Sequence, residues 1–311
     1  MSRDPLISIL MATCNGARYL PEQLGSAQAQ TYKNLEIIIS DDCSEDETLK
    51  IACEFSESDN RLQVFSNDKR LGVGTNFLKA LERCRGSFVC FCDQDDSWRL
   101  DKMECLMRLM ESSADTMLAY SDLEVCDEDL TPTHPSFWKM SGIHPVKGMI
   151  DERILFRNLT PGCSMMFRQA VVEKMLSFRG DAPLLHDHLA FVTSCGMGKV
   201  AFTREKLVKY RQHSGNVIGV GSKSSFDPDI FLSELRKRIA FFEKSPVFGD
   251  AFNLGKMASF CDAYAQKKPW QLAYLGYYLF FHSNCCKGKA QAVCEALSPH
   301  FYQSVKAKLG T

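Results

Sequence analysis

A short apolar run that ends in acidic residues, residues 88–96, most constrains how this chain can fold. The run Phe88–Cys92 shows no polar alternation, which is typical of a strand buried on both faces in the middle of a parallel sheet. It is followed directly by Asp93, Gln94, Asp95 and Asp96. Because ligands of open α/β sheets lie beyond the carboxyl ends of the strands, these acids are placed for a ligand site.

The spacing of the acids favours a bound divalent cation. Carboxylates as close together as Asp93 and Asp95 repel each other unless a cation lies among them, and their hard oxygen atoms suit Mg²⁺ or Mn²⁺ better than Zn²⁺. A structural interpretation competes with this one. Asp96 or Ser97 would serve as the N-cap of a helix that begins near Trp98.

Composition excludes several classes of protein. A chain of 311 residues with 45% hydrophobic residues can bury a large core and predicts one large domain with an appendage. A net charge of -1 offers no basic surface for nucleic acid, so no nucleic-acid partner is expected. No signal-peptide pattern precedes the 14 cysteines, and no pair of them has C-x-x-C spacing. They are interpreted as reduced thiols of a cytoplasmic protein.

Strands and helices alternate through the first 96 residues, which predicts an α/β fold with a doubly wound sheet. Ser44 and Glu47 are expected to form a capping box at the second helix. The glycine-bearing loop 70–74 contains neither G-x-G-x-x-G nor the P-loop lysine motif, so dinucleotide and Walker-type sites are excluded. The predicted strands are residues 6–12, 35–40, 62–65 and 88–92, and the predicted helices are residues 19–30, 45–56 and 75–84.

Several segments, taken in their order, resemble one enzyme family. These segments are ISILMATCNGARYLPEQLGSAQAQTY, EIIISDDCSEDET and FVCFCDQDDSW, followed by AYSDLEVCDEDL, NLTPGCSMMFRQAV, LLHDHLAFVTSCGMGKV and YRQHSGNVIG. They are similar to family 2 glycosyltransferases, and in particular to the rhamnosyltransferase-like branch that acts in bacterial surface-polysaccharide assembly. The resemblance covers residues 5–219. It implies a GT-A fold, that is, a Rossmann-like mixed sheet that is flanked by helices and binds a nucleotide-sugar.

The resemblance also implies which residues bind the donor. Asp42 matches the acid that accepts the N3–H of uracil or thymine, and Cys14 stands where the family usually has Tyr. The residues implied to contact the nucleotide-sugar are Ala12, Thr13, Asn15, Asp41, Asp42, Arg70, Asp93 and Gln94. For Asp41 and Asp42, a turn with an N-cap is the structural alternative.

A metal site and a catalytic base are implied in the same way. Asp93 and Asp95 match the D-x-D motif that holds the metal against the donor diphosphate, and His213 is expected to reach the same metal. Asp96 is an additional acid that would bind metal, contact the sugar or cap a helix. Asp187 matches the base that takes the proton of the acceptor hydroxyl. Its structural alternative is an acid favoured at a helix N-terminus.

Three further groups of residues carry weaker expectations. Asp122 would lie near the donor sugar at the end of a strand over residues 118–121, and residues 160–164 form a turn expected to line the sugar and acceptor pocket. His186 and His188 would serve as a second base or a pocket wall. A surface or lid position is expected for Trp138, His134 and His144, which share a Pro-containing loop.

The composition changes after Gly221, which divides the chain into a catalytic domain, residues 1–221, and a C-terminal helical region, residues 222–311. A helix is predicted over residues 230–243. The aromatic segment 269–281 is too short and too interrupted to span a membrane, which needs ~20 apolar residues. With lysines on both sides, residues 267–289 suit peripheral contact with the inner face of the cell membrane. Packing within the appendage or against a second subunit of a homodimer is the alternative.

The function expected from the sequence is an inverting, metal-dependent transfer of a sugar from a nucleotide-sugar to a lipid-linked or growing glycan. Two alternatives remain open. A nucleotidyltransferase shares the nucleotide-binding sheet, but it normally carries a glycine- and lysine-rich loop that residues 12–16 lack. A non-catalytic sugar-nucleotide-binding protein has no need of the base Asp187.

Overall fold

The computed structural model describes residues 4–148, 158–178, 182–216, 228–245, 247–248, 258–259 and 261–262. The described residues up to 216 form one compact unit, and those from 228 onward belong to another. A separate C-terminal domain that begins at residue 222 stays a prediction.

One mixed sheet forms the centre of the first unit, with helices packed on it. Its strands are β1 (Ile7–Thr13), β2 (Leu35–Asp41), β3 (Leu62–Ser66), β4 (Phe88–Cys92), β5 (Ser97–Trp98), β6 (Thr116–Cys126), β7 (Pro132–His134), β8 (Met165–Arg168) and β9 (Lys199–Arg211). The helices are α1 (Leu20–Gln28), α2 (Thr48–Ser58), α3 (Val73–Ala80), α4 (Lys102–Glu111), α5 (Phe137–Met140), α6 (Gln169–Ser177) and α7 (His186–Met197), with α8 (Pro228–Glu243) in the second unit. Short 3-10 helices cover Leu81–Arg83 and Gly162–Ser164.

The strand order places a crevice beyond the ends of β1 and β4. β1 pairs in parallel with β2 on one side and with β4 on the other, and β3 lies outside β2. The chain therefore runs outward through β2 and β3 and returns to the opposite side of β1. Ligands of open α/β sheets bind where the strand order reverses in this way. The predicted mixed α/β fold is confirmed.

The second half of the sheet brings a later part of the chain to the same site. β8 pairs antiparallel with both β4 and β6, and β9 runs parallel to β6. β5 pairs antiparallel with β9, so the residues after β9 return to the end of β4. The chain between β4 and β5 and the chain after β9 are therefore neighbours.

The central strands are buried as their sequences predict. All five residues of Phe88–Cys92 are buried, as are all seven of Leu35–Asp41, because helices cover both faces of the sheet. Burial includes Glu36, whose carboxylate accepts hydrogen bonds from Ser8 Oγ at 2.6 Å and from the backbone N of Arg85 at 2.7 Å. Those donors satisfy a charge that burial would otherwise make costly.

Two predicted helix starts are wrong. The helix expected near Trp98 begins at Lys102, since Ser97 and Trp98 instead pair with β9. The capping box of Ser44 does not form. Its hydroxyl donates to Asp41 Oδ1 at 2.5 Å, and α2 begins later, after Glu47. At Trp98 the competing partner is distant in sequence, whereas Ser44 is held by the nearby Asp41 and by the backbone N of Asn15, which donates to its Oγ at 2.9 Å.

The structure also corrects Asp122 and Trp138. β6 continues to Cys126, so Asp122 lies within the strand and its carboxylate accepts from Ser136 Oγ at 2.6 Å and from Trp138 N at 3.1 Å. Asp122 therefore holds the N-terminus of α5 and lies within β6, not at the end of a strand. Trp138 is 3% exposed and packs edge-on against Tyr120, so its expected surface or lid position is wrong.

The helix predicted at residues 230–243 corresponds to α8. In the part of the chain that the structure describes, no helix combines the length and apolarity needed to cross a membrane. Residues 267–289, which carry the predicted membrane contact, lie outside the described residues.

Candidate active site at the ends of β1 and β4

Gln94 ties the two loops of the crevice together. Its Oε1 accepts from the backbone N of Cys14 at 2.8 Å, and its Nε2 donates to the backbone O of Cys14 at 3.1 Å. A Cβ at Gly16 would lie 2.2 Å from Oε1, so this approach depends on glycine there. The side-chain amide predicted to bind the donor is thus used to join the loop after β1 to the acidic loop after β4.

Thr13 and Asp41 also fix the ends of their strands. Thr13 Oγ1 donates to Asp41 Oδ1 at 2.9 Å, and the backbone N of Ser44 donates to Asp41 Oδ2 at 2.9 Å. Both Thr13 and Asp41 are 1% exposed. Their side chains therefore position the loops around the crevice, and a donor contact at Thr13 or at its half-buried neighbour Ala12 would have to involve the backbone.

Asp42 organises the loop that follows β3. It is 3% exposed, and it accepts from the backbone N of Leu71 and of Gly72, each at 2.8 Å, and from Asn67 Nδ2 at 3.0 Å. Gly72 has a φ of 82°, a conformation that glycine adopts without strain. A carboxylate has about four acceptor positions, so these three donors leave one acceptor position of Asp42.

Asn15 and Arg70 are the exposed members of the predicted donor site. Asn15 has a φ of 50°, and its Oδ1 accepts from the backbone N of Glu45 at 2.8 Å. The guanidinium of Arg70 lies near the Cys14 thiol, where its charge opposes the rise in the pKa of Cys14 that burial causes. An exposed cation at this position is available to an anionic ligand.

Asp93, Asp95 and Asp187 come together from two separate elements. Asp93 and Asp95 follow β4, whereas Asp187 lies in the first turn of α7. Burial, followed by the charges of Asp95 and Asp187, raises the pKa of Asp93 to about 7. Asp93 keeps some accessible surface, but its carboxyl is enclosed by protein. This concentration of negative charge is suited to a cation.

Asp95 contacts the segment after β9. Such a contact is needed if His213 is to reach the same metal as Asp95. Its Oδ2 lies 2.8 Å from His213 Nε2 and 3.2 Å from Asn216 Nδ2. The imidazole of His213 packs on Tyr19 with a centroid distance of 4.7 Å. The sequence analysis did not identify Asn216, which also accepts from the backbone N of His213 at 2.5 Å. The carboxylate and the imidazole are ligands that suit Mn²⁺, whereas the amide of Asn216 holds both residues in place through its own hydrogen bonds.

Asp96 is the most deeply buried acid of the group. It is 0% exposed, and its Oδ1 accepts from the backbone N of Arg211 at 3.0 Å, so it does not cap a helix. Its Oδ2 has no hydrogen-bond partner among the described residues. Burial and the charges of Asp95 and Asp93 raise the pKa of Asp96 well above its usual value. Potential ligand atoms of Asp93, Asp96 and Cys163 all lie within 4.8 Å of one another.

Arg211 holds the acidic loop in place and was not identified from the sequence. Its Nε donates to the backbone O of Asp95 at 2.6 Å, and its NH2 donates to Glu22 at 2.6 Å. The guanidinium also donates to the backbone O of Glu128 and stacks 4.5 Å from the Tyr19 ring centroid. Its partners are scattered along the chain, so the local sequence carries no sign of this role.

Asp187 lies at the N-terminus of α7, a position that is also expected if the acid only stabilises the start of the helix. Its Oδ2 accepts from Asn158 Nδ2 at 2.7 Å, and it is 8% exposed. A Cβ at Gly162 would lie 3.2 Å from Asp187 Cβ, so the turn predicted to line the pocket packs directly against this residue. Asn158 was not identified from the sequence.

His186 forms a wall beside Asp187. Its ring stacks on Phe77 with a centroid distance of 4.0 Å and an interplanar angle of 18°. Burial lowers the pKa of His186, so the imidazole is neutral near pH 7. The position of His186 next to an aromatic ring is consistent with the expected role of His186 as a pocket wall. His188 is also buried.

The raised pKa of Asp93 predicts a pH-dependent stability of the metal-free protein. The folded state holds a proton that the unfolded chain releases above its ordinary pKa of 3.8, so the stabilisation is complete below that pKa and is lost as pH rises through about 7. Asp93→Asn cannot ionise and should lack this loss. In EDTA, the Tm of Asp93→Asn minus that of wild type should increase by several degrees between about pH 5 and about pH 8.

Asp115→Asn is the matched control for this measurement. Asp115 directly precedes β6, so it lies at the other end of the strands from the acidic loop that follows β4. Its side chain is 70% exposed. Its Tm should follow wild type across the same pH range. A constant difference between Asp93→Asn and wild type would show that Asp93 ionises normally.

Comparisons with known proteins agree with this arrangement. The family model described as glycosyl transferase family 2 matches residues 8–174. A glycosyltransferase of Haemophilus influenzae is 30% identical over 224 residues, which cover 71% of this chain and 69% of the relative.

Two solved structures show the same fold. One is S. aureus TarS 1-349 in complex with UDP-GlcNAc, with a TM-score of 0.60, 16% identity and coverage of 96% of this chain and 87% of TarS. The other is the mannosyltransferase PcManGT from Pyrobaculum calidifontis in complex with GDP-Man and Mn²⁺, with a TM-score of 0.56, 17% identity and coverage of 99% and 80%. With the extent of the family match and the arrangement of the acids, these findings establish that the chain is a glycosyltransferase of family 2 with a GT-A fold.

Proposed function

We propose that this glycosyltransferase moves a hexose, rhamnose or another, with inversion from a UDP- or TDP-sugar to a hydroxyl of a lipid-linked or growing bacterial surface glycan, and that it requires a divalent metal. One observation carries the proposal. Asp93, Asp95 and Asp187 meet beyond the ends of β1 and β4, where the acids of one loop face the acid of a separate helix. Such an arrangement provides a diphosphate site and a base within one crevice.

The residues present fit a divalent metal. Asp95 and Asp93 would supply carboxylate oxygens, and His213 would supply Nε2, which already lies 2.8 Å from Asp95 Oδ2. The unpartnered, buried Oδ2 of Asp96 adds negative potential beside them. When bound, Mg²⁺ or Mn²⁺ would offset the charge of the donor diphosphate, including the charge that develops on the leaving nucleotide.

Asp187 would act as the base. The acceptor oxygen forms a bond to C1 of the sugar while the bond from C1 to the diphosphate oxygen breaks, and the acceptor proton passes to the Asp187 carboxylate. Asn158 orients that carboxylate through its 2.7 Å hydrogen bond. Attack on the face opposite the leaving group inverts the configuration at C1. His186, whose ring stacks on Phe77, would instead form a wall of the pocket.

The nucleotide would occupy the crevice on the side of β2. Asp42 has one acceptor position left for a base N–H, and Arg70 is an exposed cation for the phosphates. A uracil or thymine base presents one donor, N3–H, for the one remaining acceptor position of Asp42, whereas guanine presents two adjacent donors, N1–H and N2–H, of which that position could satisfy only one. This supports UDP- or TDP-sugars over the GDP-sugar of the Pyrobaculum calidifontis enzyme.

A lipid-linked acceptor would place the enzyme at the cytoplasmic face of the membrane. The resemblance to the rhamnosyltransferase-like branch supports such an acceptor. Attachment there through the aromatic and lysine side chains of residues 267–289 would be peripheral. Its test is co-sedimentation with anionic vesicles at low salt, which should be lost when Lys267, Lys268, Lys287 and Lys289 are changed to Gln.

A panel of donors tests the proposed function. The full chain is incubated with UDP-, TDP- and GDP-sugars in Mn²⁺ or in EDTA, and thermal stabilisation and slow donor hydrolysis are measured. We expect stabilisation by at least one UDP- or TDP-sugar in Mn²⁺ alone, because ligand binding raises the Tm by mass action. Equal stabilisation in EDTA would exclude the metal, and binding without hydrolysis or transfer would favour a non-catalytic sugar-nucleotide-binding protein.

A further inference from the structure

Lys102 occupies a position that is unfavourable for a cation. It is 0% exposed and is the first residue of α4. Burial removes the hydration of the ammonium, and the N-terminus of a helix dipole repels a positive charge. Burial accordingly lowers the pKa of Lys102 from its usual value. A lysine in such a place needs strong compensation from its neighbours.

The neighbours of Lys102 belong to the two sides of the active site. Its Nζ lies 3.1 Å from the centroid of the Trp98 ring, just after the acidic loop, and donates to the backbone O of Cys163 at 2.5 Å. Cys163 belongs to the Gly162–Ser164 turn, whose Gly162 packs against Asp187. Lys102 therefore connects the chain that follows the metal-binding acids with the turn that supports the base.

The charge of Lys102 also compensates the buried acids. The guanidinium of Arg211 donates to the backbone oxygens of Asp95 and Glu128 and to the carboxylate of Glu22. It leaves the carboxylates of Asp93 and Asp96 to other groups. The ammonium of Lys102 lies close to both, because it donates to the backbone O of Cys163, and potential ligand atoms of Cys163, Asp93 and Asp96 all lie within 4.8 Å of one another. The Asp96 Oδ2 that has no hydrogen-bond partner is the group that most needs such a charge.

We propose that Lys102 is a positioning residue of the transferase. Its buried ammonium is the fixed counter-charge of Asp93 and Asp96. It also holds the Gly162–Ser164 turn against the acidic loop, so that the loop can receive the metal and the donor diphosphate. This inference rests on the proposed metal-dependent function. Lys102 is not a catalytic residue, because it is fully buried and its ammonium donates to a backbone oxygen of the protein.

Two neutral variants separate charge from hydrogen bonding. Lys102→Met keeps a long side chain over Trp98 but removes the charge, and Lys102→Gln keeps an amide donor for the Cys163 oxygen. At neutral pH, both should weaken binding of Mn²⁺ alone, measured by electron paramagnetic resonance, by ~10-fold or more, the usual scale for residues that support metal ligands. Donor KM should rise, with the acceptor KM unchanged. Lys199→Met, at an exposed lysine that pairs with Asp115, is the matched control and should bind as wild type does.

A double-mutant cycle with Asp96 tests the counter-charge directly. In the metal-free protein, at a pH high enough to ionise Asp96 despite its raised pKa, the Tm loss of Lys102→Met combined with Asp96→Asn should be smaller than the sum of the two single losses, because removing both charges leaves neither uncompensated. Should Lys102→Met fail to fold, Lys102→Gln replaces it in the same cycle. A purely structural lysine predicts additive losses and unchanged Mn²⁺ affinity in the folded variants.

The outcomes distinguish this inference from the proposed function. Additive Tm losses, or Lys102→Gln binding Mn²⁺ as wild type does, overturn the role of Lys102 while the metal-dependent transferase stands. Wild type that binds neither Mn²⁺ nor any nucleotide-sugar overturns the proposed function itself. Coupled Tm losses together with weakened Mn²⁺ binding support both.

Discussion

Asp187→Asn is expected to lower the rate of sugar transfer by at least ~10²-fold, the usual scale for loss of a general base. The amide has the shape of the carboxylate but cannot take the acceptor proton. Donor affinity should change little, because Asp187 lies on α7, away from the loops of β1 and β2 where the nucleotide is proposed to bind. Single-turnover transfer and donor affinity, measured on the same preparation, separate the two effects.

Stability needs its own measurement in this variant. Asp187 accepts from Asn158 Nδ2 and from the backbone N of His188, and an asparagine has only one oxygen for these two donors. The loss of one hydrogen bond should cost about 1 kcal/mol, which leaves the protein folded. Asn158→Ala, which keeps the carboxylate and removes its orienting donor, should reduce transfer less than Asp187→Asn. Wild-type transfer by Asp187→Asn would exclude Asp187 as the base, and a parallel loss of donor binding would indicate a structural role.

The sheet could be predicted because its central strands carry their own signal. Phe88–Cys92 is an uninterrupted apolar run, as expected for a strand covered on both faces. The acids that follow it lie at a strand end, and the topology of α/β sheets then places them at the crevice. The position of Asp93 and Asp95 therefore followed from local sequence and a general rule of topology.

The errors arose where distant partners decide local structure. The sequence predicts the start of a helix near Trp98, but Ser97 and Trp98 pair with β9, more than a hundred residues later. Ser44 has the residue type of an N-cap, but its hydroxyl donates a hydrogen bond to the carboxylate of Asp41 and accepts one from the backbone N of Asn15, 29 residues earlier in the chain. Asp122 was placed at a strand end because the continuation of β6 depends on its pairing with β9.

The residues that support the site were missed for the same reason. Arg211 and Lys102 are ordinary basic residues in the sequence, and only the fold brings them to the acidic loop. Several predicted donor contacts also changed in character, because Thr13, Asp41 and Gln94 use their side chains to join neighbouring loops. Family resemblance predicts where the site lies, while tertiary contacts determine which side chains remain available to a ligand.

Asp95→Asn is expected to lower turnover by at least ~10²-fold, since a metal that neutralises transition-state charge contributes several kcal/mol. Asp95 differs from its neighbours because its Oδ2 meets both His213 Nε2 and Asn216 Nδ2 from the segment after β9. The substitution removes the charge that a divalent metal needs while leaving an oxygen for one of these donors. EDTA should abolish wild-type turnover, and Mg²⁺ or Mn²⁺ should restore it.

The metal dependence of the two proteins gives the decisive comparison. Wild type should show a steep response to Mn²⁺, whereas Asp95→Asn should need a higher concentration and reach a lower maximum. Asp115→Asn, the same substitution at an exposed acid at the other end of the strands, should reproduce the wild-type response. Because the pKa of Asp93 is raised first by burial and then by the charge of Asp95, the metal-free Asp95→Asn protein, which lacks that charge, should also be at least as stable as wild type near pH 7. Full turnover of Asp95→Asn in EDTA would exclude a metal at this site, and a loss of turnover together with a large fall in Tm would instead make Asp95 a structural residue of the loop.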